Sequence, residues 1–326
     1  MLADTRNLET LSALSVERHV STTASGSTVI SYAKDLGEGP VLWLVHGYPQ
    51  SAYIWRHLIP QLQDKISLFV PELPGYGLST RPKKDGIATV GAALLEASND
   101  LFPNRPIILA GHDRGARVCH RLAVLNAHPP QDESAKLHSY KLLGTVCLDI
   151  VPTLVQWQAF AKPVASTTYF HWPLLASPLG PHMVEAFGGA KWTHMGLDRI
   201  CGDNIEGRKA MQSDQAWEVY ESLHSKRETI EGSCADYASG CFDEPPLQEA
   251  DQREGRKVEV PILVMWSQAK LAKMHNDVGA IWKDWVKDAS LLTARSVGDG
   301  VGHYLPEEAS TVIGKAVKDF VAQVTK

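Results

Sequence analysis

The segment GHDRG, Gly111 to Gly115, sets an aspartate between two glycines, directly after the apolar run PIILA and directly before a segment patterned as a helix. A residue at a bend from strand to helix stands exposed above the sheet, in the positive field of the helix N-terminus, which favours a carboxylate. Small neighbours let so tight a turn form. Asp113 is therefore a candidate nucleophile, beside the commoner role of an aspartate in that place, an N-cap. A carboxylate that attacks an acyl carbon leaves a labile mixed anhydride. Attack on a saturated carbon bearing a leaving group instead gives an alkyl ester, which water can cleave. Such a reaction needs a base to activate the water, an acid to orient the base, and N–H donors for the charge that develops on the ester carbonyl.

The elements that must hold these groups alternate between short apolar runs and longer helical patterns, the signature of a mostly parallel sheet covered by helices on both faces. VERHVST and TVISYAK come first, then VLWLV from Val41, ISLFV from Ile66, PIILA from Pro106, LGTVCLD from Leu143, VPILVMW from Val260 and LLTARSV from Leu291. These runs are rich in Val, Ile and Leu, as strands buried on both faces are. Helices are expected between them, including Gly115 to Asn126 and Pro306 to Val324. The alternation stops between Pro152 and Lys257, where Trp, His, Tyr and Gly are frequent and helical patterns dominate. The fold class expected is α/β, a mostly parallel eight-stranded sheet, with residues 1–150 and 259–326 as the core and residues 151–258 as a helical cap inserted between two strands. PPQDESAKLHSYK, from Pro129, reads as a polar surface loop, and the charged stretch LQEADQREGRK closes the cap.

GHDRG has the glycine-x-nucleophile-x-glycine outline of the α/β-hydrolase elbow. HGYP, His46 to Pro49, and PELPGYGLS, Pro71 to Ser79, follow successive strands as that architecture's loops do. The resemblance implies that the backbone N–H groups of Tyr48 and Arg114 form the oxyanion hole. It marks His303, beyond the last strand and before the final helix, as the base; nothing sets His19, His57, His128, His138 or His224 apart. The acid falls after the sixth or the seventh strand. WSQAKLAKMHN, from Trp266, offers no carboxylate before Asp277, so Asp149, at the end of LGTVCLD, is preferred to Asp277 and Asp299. Its alternative role is to cap the entry into the helical segment.

GHDRGAR, LDIVPT, the pair His171 and Trp172, CADYASG around Tyr237 and GHYL around His303 together resemble the fluoroacetate (haloacetate) dehalogenases of the α/β-hydrolase superfamily, over nearly the whole chain from Val16 onward. The resemblance implies that Asp113 displaces halide from the α-carbon of a 2-haloacid, and that His303, oriented by Asp149, drives water onto the ester to give a 2-hydroxyacid. Arg114 and Arg117, at i and i+3 on one helix face, would bind the substrate carboxylate. His171, Trp172 and Tyr237 would donate hydrogen bonds to the halide. The ordinary alternatives are ion pairing for the arginines and packing for the aromatics. Epoxide hydrolases share GHDRG, but they need tyrosines to protonate the opening epoxide; Tyr237 with Tyr169 or Tyr220 would serve. A noncatalytic binding protein on the same fold is a third reading, and it predicts a broken catalytic set. Two departures from the family pattern, the polar stretch from Gln131 to Lys141 and the Phe170 and Pro173 that flank His171-Trp172, could widen the pocket toward a bulkier substrate.

With 326 residues, 44% of them hydrophobic and 21% charged, the chain can bury a large core. Its net charge of −5 leaves no basic field for nucleic acid or an anionic membrane, so an anionic small-molecule substrate needs local positive charge. No apolar run reaches the ~18 residues of a transmembrane helix. The N-terminal MLADTRNLETLSALSVERH lacks the apolar core of a signal peptide and the Arg-rich character of a transit peptide. The five cysteines are odd in number and scattered without CxxC spacing, which fits a reducing, cytoplasmic setting and no structural zinc. The chemistry requires neither cofactor nor metal. A homodimer is implied by the family resemblance alone.

Overall fold

Alternating side chains along the central strands enter two different cores. The computed structural model describes residues 2–130 and 140–326. Its strands are β1 (Glu17–Thr22), β2 (Thr28–Lys34), β3 (Val41–Val45), β4 (Ser67–Pro71), β5 (Ile107–His112), β6 (Leu142–Leu148), β7 (Ile262–Ser267) and β8 (Leu292–Val297). In β3, Val41, Trp43 and Val45 face one side of the sheet, while Leu42 and Leu44 face the other. In β5, Ile107 and Leu109 part from Ile108 and Ala110 in the same way. A strand with apolar residues at every position can satisfy both faces only if helices cover both. The helices Ile87–Leu101 and Arg114–Ala127 cover the first face, and Ser310–Val324 lays Ile313, Val317 and Phe320 on the second. Each such side chain taken fully out of water contributes about 2 kcal/mol.

The eight strands form one sheet in the order β1-β2-β4-β3-β5-β6-β7-β8. β1 and β2 pair antiparallel, as do β2 and β4, and every later pairing is parallel. β3 lies between β4 and β5, so the chain leaves it toward one edge and later returns on its other side. At such a switch point the loops beyond the strand ends part and leave a crevice. The loops after β3, β5 and β6 all open there.

Between β6 and β7 the chain forms helices only, from Thr153 to Glu254. This helical insertion is tied down at several points. Arg121 reaches from the sheet-covering helix to Glu244 and Asp251, and the N–H of Leu154 donates to Gln248 Oε1 within the insertion itself. Gly232 lies against Gly75 in the turn after β4, where a Cβ would strike the Gly75 carbonyl oxygen. That close approach docks the helix Arg227–Phe242 onto the sheet.

The strands expected from sequence all form, with ends moved by a residue or two. Two helical regions differ. An N-terminal helix, Leu2–Ala13, was not expected; its apolar residues do not gather into one stripe, and it is held by Leu11 in the core and by the Asn7 amide donating to Glu72. The helix expected over Pro306 to Val324 is two, Leu305–Glu308 and Ser310–Val324, broken at Ala309 with φ −136°. Most of the polar loop expected from Pro129, residues 131–139, lies outside the described residues. All five cysteines are free thiols. Among the described residues no helix is long and apolar enough to cross a membrane.

Candidate active site

Asp113 ends β5 and begins the helix Arg114–Ala127, with φ +49° and ψ −116°. A positive φ at a non-glycine residue costs roughly 1–3 kcal/mol and persists only where the surroundings enforce it. They do so here by contact. A Cβ on Gly115 would collide with the carbonyl oxygens of Val45 and His46, and one on Gly47 with Asp113 itself. The glycines of GHDRG and HGYP thus let three backbone segments converge. The Asp113 side chain makes no capping hydrogen bond to its helix. Its Oδ1 accepts instead from the N–H of Tyr48, at 2.9 Å.

His303 follows β8 and turns its ring toward Asp113. Its Nδ1–H donates to Asp149 Oδ2 at 2.6 Å, and its Nε2 lies 3.8 Å from Asp113 Oδ2. Asp149 ends β6, also at positive φ (+54°), and its Oδ1 accepts from the N–H of Ser267 at 2.6 Å. The two other acids considered from sequence lie elsewhere: Asp277 caps a helix through the N–H of Ala280, and the Asp299 carbonyl accepts from Asn204. Burial alone would lower the pKa of His303, but the hydrogen bond and charge of Asp149 and the charge of Asp113 outweigh it, and the net shift is upward. Burial would likewise raise Asp113, yet His303, His112, Arg117 and Arg114 together hold it below the usual carboxylate range. Asp149 moves up, because its burial exceeds the compensation from His303.

Three positioning contacts had no signature in sequence. His112 Nε2–H donates to the His303 carbonyl oxygen at 2.8 Å; burial and the His303 charge push its pKa down to about 3, so it remains neutral. Glu308 accepts from the N–H groups of Gly202, Gly302 and Tyr304, clasping the backbone on both sides of His303 and joining it to the insertion. The His303 N–H itself donates to the Ile200 carbonyl.

The two arginines after the elbow diverge. Arg114 forms a bidentate ion pair with Asp236, Nε to Oδ2 at 2.6 Å and Nη2 to Oδ1 at 2.9 Å, under the ring of Tyr237 and in space left by the absent side chain of Gly240. Its Nη1 has no hydrogen-bond partner among the described residues. Arg117 donates through Nη1 to the Val151 carbonyl and to Thr153 Oγ1, both neutral, and lies 4.5 Å over the ring of Trp172. Burial and the Arg114 charge lower its pKa to about 10, which leaves it cationic at neutral pH.

Two adjoining cavities share Asp113, His171, Arg199 and His303 in their walls. The larger, of about 550 Å³, also has Arg117, Trp172 and Tyr169 in its lining; the smaller, of about 30 Å³, has Tyr48 and Tyr237. Arg114 lines neither. His171 and Trp172 begin the helix His171–Ala176, and Tyr237 sits on Arg227–Phe242, with Trp172 and Tyr237 packed edge to face at 5.5 Å. Arg199, unremarked in the sequence, donates from Nη2 to His171 Nδ1 at 3.1 Å. An arginine can only donate, so the proton of the neutral His171 ring sits on Nε2. Burial and Arg199 hold the His171 pKa down at about 3. Among the described residues, the Trp172 indole and the Tyr237 and Tyr169 hydroxyls make no hydrogen bond, whereas the Trp157 indole donates to Gly240 and the Tyr220 hydroxyl to Glu307. Tyr220 lines neither cavity. Among the described residues, no group of three or more His, Cys, Asp or Glu side chains is arranged to hold a metal ion.

The chain as a whole is similar to known proteins. A family model described as alpha/beta hydrolase fold matches residues 40–268. A fluoroacetate dehalogenase from Burkholderia sp is 29% identical over 301 residues, 88% of this chain and 88% of that protein. A soluble epoxide hydrolase from Corynebacterium sp. (strain C12) is 27% identical over 292 residues, 87% of this chain and 91% of that protein. Among solved structures, ALR0039 from Nostoc sp PCC 7120 superposes with a TM-score of 0.80 at 26% identity, covering 94% of this chain and 98% of that one. The chain belongs to the α/β hydrolase fold family, and it is a hydrolase.

Proposed function

We propose that the protein is a hydrolytic dehalogenase of small 2-haloacids such as fluoroacetate, working through an aspartyl-ester intermediate, with residues 151–258 as the cap over its active site. The observation that carries this reading is the carboxylate of Asp113. It caps nothing, one oxygen is held by the Tyr48 N–H, and the other faces His303 in the wall of a cavity. Oδ2 forms the new bond to the substrate α-carbon as the carbon–halogen bond breaks, and the halide departs with the bonding pair. His303 Nε2 then takes a proton from water, and the hydroxide adds to the Asp113 carbonyl carbon. The charge that develops on Oδ1 rests on the N–H groups of Tyr48 and Arg114. Collapse releases the 2-hydroxyacid oxygen, which takes the proton from His303, and Asp113, left as the acid with one oxygen from water, returns to the carboxylate by losing the second water proton to solvent.

Arg117 supports a substrate that carries a carboxylate, because it stands in the same wall as Asp113 and, among the described residues, no carboxylate is paired to it. The donors of His171, Trp172 and Tyr237 that lack acceptors suit a halide, and fluoride most, since it leaves poorly and accepts hydrogen bonds strongly. The free hydroxyls of Tyr169 and Tyr237 favour a second reading, epoxide opening by the same nucleophile. Purified protein incubated with fluoroacetate and chloroacetate in ¹⁸O-water is expected to release halide and to label Asp113 in the first turnover and product only afterwards. Diol formation from epoxides, with no halide from any small 2-haloacid, would overturn the assignment.

A further inference from the structure

The larger cavity has more cations in its wall than a haloacetate can use. Besides Arg117, it is lined by Arg199, Lys270 and Lys273, while among the described residues its acidic lining is Asp113 and Asp149. Among the described residues, Arg199, Lys270 and Lys273 have no carboxylate within ion-pair distance, in contrast to Arg56, Arg114 and Arg121, which are all paired. They come from two different parts of the fold. Arg199 is in the last turn of the helix Gly189–Ile200 of the insertion, whereas Lys270 and Lys273 follow β7 in the sheet domain, Lys273 within the short helix Leu271–Met274. Lys270 Nζ donates to the Arg199 backbone carbonyl oxygen at 3.3 Å, which ties the loop after β7 to the insertion beside the cavity. At about 550 Å³ the cavity falls within the ~300–1,000 Å³ of pockets that enclose drug-sized ligands, far beyond a two-carbon acid. The wall also carries Val164, Ile200, Leu271 and Met274, which suit a methylene chain.

We propose that Arg199, Lys270 and Lys273 form a second anion subsite, so that the preferred substrates are 2-haloacids with a further carboxylate at the other end of a short carbon chain. Arg117 takes the carboxylate next to the reacting carbon, and the seam cations take the distal one. The inference rests on the dehalogenase reading for the reacting carbon, but the anion contact exists independently of it. Arg199 already donates to the Thr168 carbonyl and to His171 Nδ1, so it adds positive charge while the two lysines, which have no carboxylate partner among the described residues, make the direct charge-assisted hydrogen bonds, and a specificity of about tenfold follows.

The test compares kcat/KM for 2-chloroglutarate and 2-chloropentanoate, which have the same number of carbons. The diacid is expected to be favoured at least about tenfold, and Lys270→Gln/Lys273→Gln is expected to bring the ratio near one while chloroacetate turnover stays as it was. No preference in the wild type, or a preference that survives the double substitution, overturns the subsite and leaves the dehalogenase reading standing. If no 2-haloacid releases halide, the dehalogenase reading falls, and calorimetry with unreactive glutarate and pentanoate decides the subsite by itself. Glutarate-selective binding lost in the double variant supports it, and equal binding of the two acids overturns it.

Discussion

At the ends of β5 and β6 the reacting groups are fixed by backbone. Asp113 and Asp149 both stand at positive φ, glycines press three segments together around the elbow, and His303 is clasped on either side by bonds to Glu308. Across the cavity the groups are fixed by side chains. His171 takes its tautomer from Arg199, Trp172 and Tyr237 are set by edge-to-face rings, and among the described residues their donors meet no acceptor. At its glycines the first arrangement has no room for a side chain, because a Cβ on Gly115 meets backbone and one on Gly47 meets Asp113. The second can exchange one aromatic or cation for another and keep its packing. On the proposed reading, the contrast separates what decides the reaction from what decides the substrate, and Arg114 and Arg117 repeat it within one helical turn.

The sharpest way to break the comparison is to remove the backbone-held groups. Asp113→Asn is expected to end halide release, a loss of about 10⁴-fold or more. His303→Asn keeps the nucleophile and removes the base, so one equivalent of halide should appear, followed by a stable mass increase on Asp113. Steady turnover by either variant would show that the rim of the sheet does not carry the chemistry.

Asp149→Asn comes next, with a loss of ~10³–10⁴-fold as the imidazole loses the acceptor that fixes its tautomer. Its pH dependence has a defined sign. Asp149 and Asp113 both raise the His303 pKa. In the ester the Asp113 charge is gone, so His303 titrates lower there than in the free enzyme, and kcat falls as pH drops through that lower value. Removal of the Asp149 charge should shift the acidic limb lower still. A limb that stays in place as the rate collapses would mean that another group titrates.

The arginine pair tests the same contrast at smaller scale. Arg117 bonds neutral acceptors, so Arg117→Gln should raise KM for a haloacid ~10- to 100-fold with little change in Tm. Arg114→Gln leaves Asp236, whose side chain is 11% exposed, with the Tyr76 hydroxyl but without its countercharge, and loss of one partner from a buried pair costs about 3–5 kcal/mol. A large fall in Tm from the Arg117 variant, with none from the Arg114 variant, would reverse these roles.

Much of the sheet-borne half could be read from sequence, because its signals are local. Asp113 has glycines beside it, Tyr48 follows a strand within HGYP, and the absence of an acid after VLWLV's later counterpart VPILVMW directs attention to Asp149. The wall across the cavity was legible only in part. His171, Trp172 and Tyr237 were found through the family resemblance, but nothing local tells that Asp236, far along the chain from Arg114, occupies that guanidinium, or that Arg199 sets the His171 ring. Long-range polar pairing leaves no periodic trace. The N-terminal helix was missed for a related reason, since it is held by a few tertiary contacts and lacks an apolar stripe.

The smallest expected effect lies in the side-chain-held wall, and it separates the donors from packing. Tyr237→Phe removes one hydroxyl and keeps the ring that packs on Trp172 and Tyr48. Burial, with the Asp113 charge second, raises the Tyr237 pKa well above its ordinary value, so the hydroxyl keeps its proton and acts only as a donor to an anion. Fluoride accepts hydrogen bonds more strongly than chloride, so fluoroacetate turnover should fall about tenfold and chloroacetate turnover much less. An equal fall for both acids would give Tyr237 a packing role. A loss confined to epoxide opening would assign its proton to oxygen, and the wall would then belong to the second reading.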